Sequence, residues 1–205
     1  MDLVEIVKAL PKESINDITK VACNTFRDIV YPITAATKGL GLLIETKFDL
    51  LNDAQKILAA EAIRKTAEKA SNNGRLSQSK SMKPVIFYEA LDNIDAHVDQ
   101  LQSEVWTNLM ASEVQTGNIH PEIVRTLSKL ASGDILLLND IAFNQDKDGF
   151  SRFIAHFKKD NATLTPVRNS FNHFYLEELG VIVKHEGKWN TTFKGVELLR
   201  SVQSL

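Results

Sequence analysis

Apolar residues along the first half of the chain recur at helical rather than strand spacing. Leu3, Ile6, Val7 and Leu10 share one helical face, which Pro11 ends. From Ser14 to Val30 a second stripe runs through Ile15, Ile18, Ala22, Phe26 and Ile29. Pro32 should stop or kink that helix, because proline lacks an N–H and crowds the preceding turn. Gly39 and Gly41 loosen the next segment. Asn52, with Gln55 three residues on, has the form of a capping box and opens an alanine-rich helix to about Ala70. The run SNNGRLSQSKS, residues 71–81, is dense in turn formers and reads as a connector, which places a first boundary there.

Between Pro84 and Val114 there is neither glycine nor a second proline, and Phe87, Leu91, Ile94, Val98, Leu101 and Val105 follow a heptad-like 4-3-4-3-4 spacing. About thirty residues at roughly 1.5 Å each predict one helix on the order of 45 Å long. Its stripe needs a partner along its length, either the N-terminal helices or another copy of the chain. After a Thr-Gly-Asn turn at 116–118, His120-Pro121 begins a helix through Leu130, with His120 as the polar residue at its N-terminus. Ser132 is the expected cap of the next helix, which carries Ile135, Leu136, Leu138 and Ile141.

Beyond the polar loop NQDKDG, residues 144–149, a helix is predicted from Thr165 to Leu179. Val167, Phe171, Phe174 and Leu179 are read as its inward face, and Arg168, Asn169, Asn172 and His173 as its outer face. Gly180 ends it. VIVKH and KWNTT then form two short strands around Glu186-Gly187, and Phe193 to Val202 closes the chain as a helix. Helix, hairpin, helix is the ending of a winged helix. The fold class predicted is mainly α, a helical bundle with long helices and a C-terminal winged-helix-like unit containing a small β-hairpin. Its parts are an N-terminal helical arm (1–80), central helices (81–131) and the winged-helix-like unit (132–205).

A chain of 205 residues, 43% hydrophobic, is long enough to bury a core. Its 24 basic and 26 acidic residues nearly balance overall but not locally. Residues 1–80 carry twelve basic and ten acidic side chains, residues 81–149 four and eleven, and residues 150–205 eight and five. A nucleic-acid site therefore belongs in the tail. The single cysteine, Cys23, excludes an internal disulfide and a thiolate metal cluster within one chain. With no secretory pattern in MDLVEIVKALPKES, the expected location is cytoplasmic. Residues 29–44 come nearest to a membrane span but are short and interrupted by Pro32, Lys38 and two glycines, so they read as a buried or interfacial segment. Contact of that segment with a membrane on activation is the weaker alternative.

Candidate chemistry is sparse. His97, His120, His156, His173 and His185 include no pair at zinc-site helical spacing. Asn144, Asp146, Asp148 and Gly149 reproduce the first half of an EF-hand loop, but Ala155 stands where the bidentate glutamate belongs, which favours a plain Asx-rich turn. Gly39-Leu40-Gly41 lacks the rest of a phosphate loop, Glu177-Glu178 read as solvated helix residues, and Cys23 as a buried thiol. No catalytic residue, metal or cofactor is expected, and the chain is read as non-enzymatic. If the tail binds DNA, Arg168, Asn169, Asn172 and His173 would face a major groove while Lys184 and Lys188 approach phosphates, opposed by the two glutamates.

Residues 100–141, QLQSEVWTNLMASEVQTGNIHPEIVRTLSKLASGDILLLNDI, resemble the core block of the Abi-alpha family, bacterial proteins linked to abortive infection of phage. Glu104, Trp106, Asn108, Leu109, Ala111, His120, Pro121 and Leu127 carry the likeness. LEELGVIVKHEGKWNTTFKGVELL, residues 176–199, is similar to the family's ending through Leu179, Gly180, Thr192 and Gly195. The N-terminal arm agrees only in its amphipathic helical character. The resemblance implies a role in defence and brings no catalytic residues with it. The expected function is thus a non-enzymatic interaction protein with a protein partner or self-association through the Phe87–Val105 stripe. The alternative is a winged-helix DNA-binding regulator.

Overall fold

Residues 12–34, 38–72, 83–93, 99–145 and 170–203 are described by a computed structural model, and they are mainly helical with one small antiparallel hairpin near the C-terminus. The chain divides into two units, one reaching to Val124 and one running from Arg125 to Ser204. The first contains helices from both the 1–80 arm and the 81–131 segment. The predicted Leu3–Leu10 helix and most of the 71–81 connector lie outside the described residues.

In the first unit, α1 (Lys12–Thr34) turns Ala22, Phe26 and Val30 into the core, one helical turn apart. Ile18 remains at the surface. Pro32 does not end the helix, which runs two residues further. Gly39 and Gly41 lie within α2 (Lys38–Asp49) rather than loosening it. The rings of Phe26 and Phe48 stack at 3.8 Å between α1 and α2. α3 (Asp53–Asn72) opens with the predicted capping box: the Gln55 amide donates to Asn52 Oδ1 at 3.0 Å and the Asn52 amide to Gln55 Oε1 at 3.1 Å.

The predicted 45 Å helix is two helices, α4 (Pro84–Asn93) and α5 (Gln100–Thr116). Asp99 is extended at φ −74°, ψ 170°, and its carboxylate accepts from the Gln102 amide at 2.9 Å, starting α5 afresh. Phe87, Leu91, Leu101 and Val105 are all buried within the unit; Ile94 and Val98 lie outside the described residues. α3 packs against both α1 and α5, and α2 against α4. Ala59, Ala62, Ile63, Thr66 and Ala70 are buried on α3. Polar groups bridge α3 to α5: the Lys69 ammonium donates to Glu104 Oε2 at 2.7 Å and to Asn108 Oδ1 at 2.6 Å, and Gln115 Nε2 donates to the Lys69 carbonyl at 3.3 Å.

Glu113 is fully buried on α5. Its Oε1 accepts from the Lys83 amide at 2.8 Å and its Oε2 from the Ile119 amide at 3.1 Å, so one carboxylate secures the entry to α4 and the loop after α5. The Lys83 ammonium stands 3.9 Å away and donates to the Gly117 carbonyl at 2.7 Å. At the next helix, α6 (Pro121–Leu127), His120 Nδ1 accepts from the Glu122 amide at 3.1 Å, the capping role the sequence gives it.

In the second unit, α7 (Ser132–Gln145) is not capped by Ser132, whose hydroxyl is buried without a hydrogen-bond partner. Asp134 reaches back instead to accept from the Ala131 amide at 3.0 Å. α8 (Phe171–Glu178) ends in a Schellman turn at Gly180, φ +72°, where the Gly180 amide donates to the Glu177 carbonyl and the Val181 amide to the Leu176 carbonyl. β1 (Ile182–His185) and β2 (Lys188–Thr191) pair with His185 opposite Lys188, joined by Glu186 and Gly187, both at positive φ as a two-residue type I′ turn requires. α9 (Phe193–Val202) covers the predicted residues and is capped by Thr192, whose hydroxyl oxygen accepts from the Gly195 amide at 3.1 Å. A side chain at Gly195 would overlap the Val181 carbonyl oxygen, so α9 seats there only without a Cβ.

Two substitutions test these contacts. Gly195→Ala lowers stability by about 1–3 kcal/mol in urea unfolding through steric overlap. Helix propensity alone has the opposite sign, with alanine favoured over glycine by about 1 kcal/mol, so a stabilised variant would refute the close approach. Glu113→Ala leaves the Lys83 and Ile119 amides without their acceptor and costs about 2–3 kcal/mol. Burial raises the Glu113 carboxyl above its ordinary value of 4.5, against the pull of the two amides and the Lys83 charge. The folded state then holds this proton more tightly than the unfolded state does. The wild type's advantage over the alanine variant therefore shrinks as pH rises from 4.5 through the folded-state value, and unfolding curves at a series of pH values would read it.

Candidate interaction surface of the second unit

The phase of α8 is set from its C-terminal end. Leu176 is the residue whose carbonyl takes the Val181 amide, and both side chains are fully buried. Three residues before Leu176, His173 also points inward and is only 5% exposed. Three residues depart from the faces read from the sequence: Phe171 is 80% and Phe174 51% exposed, while His173 faces the core; Asn172 is exposed, as read. The helix also begins later than predicted. Ser170 is extended at φ −69°, ψ 164°, so α8 starts at Phe171; Val167 lies outside the described residues. Arg168 and Asn169 lie outside the described residues.

The other candidate contacts have internal partners as well. Asn172 Nδ2 donates to Asp134 Oδ1 at 2.8 Å, tying α8 to α7. His173 Nδ1 lies 2.9 Å from the Ser170 hydroxyl, and its ring is 5.3 Å from that of Trp189. Burial, helped by the nearby Lys184 charge, holds the His173 imidazole below its ordinary 6.5. The Lys184 ammonium sits 5.2 Å from the centre of the Trp189 ring. Lys188 is exposed at the hairpin end.

These placements leave an aromatic surface that sequence reading missed. Phe171 and Tyr175 lie nearly parallel, 9° apart with centroids at 6.2 Å, and the Tyr175 hydroxyl donates to the Lys129 carbonyl at 2.9 Å. Phe174 meets Trp189 edge-on at 5.8 Å. The signal that could have found this face was Ser170, a preferred N-cap residue just before Phe171. The described residues 125–145 and 170–203 contain six Lys/Arg and six Asp/Glu.

Phe87, Leu91, Leu101 and Val105 belong to the core of the first unit. Across residues 29–44, Ile44 is buried while Tyr31, Leu42 and Leu43 are exposed, and no helix among the described residues is long and apolar enough to cross a membrane. Cys23 is half-buried. Among the described residues no three His, Cys, Asp or Glu side chains group as metal ligands; Asp146, Asp148 and Gly149 of the partial EF-hand pattern lie outside them. Comparisons with family models, with curated proteins and with solved structures find no match to this chain.

The helix phase is testable without knowing a ligand. Phe171→Ala should change the unfolding free energy by less than about 0.5 kcal/mol, as surface substitutions do. Leu176→Ala should cost about 2–5 kcal/mol for a buried leucine. Denaturant melts giving the reverse order would restore the outward His173 face.

Proposed function

We propose that the chain is a non-enzymatic interaction protein of the phage-defence type, making protein contacts through the aromatic face of α8 and β2. The observation that carries the contact surface is the exposure of Phe171 and Phe174 beside Tyr175 and Trp189. Aromatic side chains are enriched where protein surfaces meet, because they bury large areas at little cost in side-chain freedom. The defence role rests on the resemblance of residues 100–141 and 176–199 to the Abi-alpha family.

A second reading, a winged-helix DNA-binding regulator, draws on the order α8, β1, β2, α9 and on the exposed Lys188. It has less support, since Asn172 and His173 have partners inside the unit.

The two readings separate in paired experiments. In bacteria expressing the chain and challenged with a panel of phages, the wild type should reduce productive infection, and the folded double variant Phe171→Ser, Phe174→Ser should lose that effect. Protection unchanged in the variant removes the aromatic face; no protection by the wild type against any phage removes the defence role. Fluorescence anisotropy of a labelled random duplex at about 50 mM and 200 mM salt should show no salt-sensitive binding. Tight binding that weakens with salt and with Lys188→Ala would put the DNA reading first.

A further inference from the structure

We draw no further inference here: the strongest candidate, the exposed apolar surface of the first two helices carrying Val21 and Tyr31 on α1 and Leu42 and Leu43 on α2, carries nothing because nothing in the structure shows what covers it.

Discussion

Three successive carbonyls at the end of α8 hold the second unit together. The Leu179 carbonyl accepts from the Lys194 ammonium at 3.0 Å, the Gly180 carbonyl from the Thr192 hydroxyl at 2.6 Å, and the Val181 carbonyl from the Thr192 amide at 3.0 Å. The carbonyls of the turn that follows α8 are thus taken up by the start of α9, on the far side of the hairpin. Gly180 lets the chain reverse and Gly195 lets α9 approach. Leu176 and Val181 are buried at this end of α8, while Phe171 and Phe174 face solvent.

Features decided by neighbouring residues could be read directly from the sequence. The Asn52–Gln55 capping box, His120 at the start of α6, the Glu186-Gly187 turn and the full extent of α9 each rest on chemistry spanning a few positions. The break at Asp99 escaped because the heptad spacing runs across it, and its four described positions are buried whether or not the helix is continuous. The local signal was present, since Asp99 and Gln102 stand three apart as capping residues do. Ser132 outranks alanine as an N-cap, yet Asp134 secures that turn from inside the helix. In the candidate surface the hairpin was legible, whereas the orientation of α8 was not, because it depends on the contact between Leu176 and Val181 rather than on periodicity over residues 165–179.

Polar contacts between distant segments gave no sign at all. Lys69 meets Glu104 and Asn108 across 35 and 39 positions, and Glu113 receives the Lys83 amide across 30. Nothing at either end distinguishes such a residue from an ordinary solvated charge until the helices are packed. Glu104 and Asn108 share that partner: together they accept from a lysine where α3 and α5 meet.

If the aromatic face proposed above meets a partner, its uncharged rings add no long-range electrostatic guidance of their own. An encounter without steering runs at about 10⁵–10⁶ per molar per second and changes little with ionic strength. Differences among partners would appear instead in how long each remains bound, since that is where related complexes differ most. A surface of this kind selects by residence time.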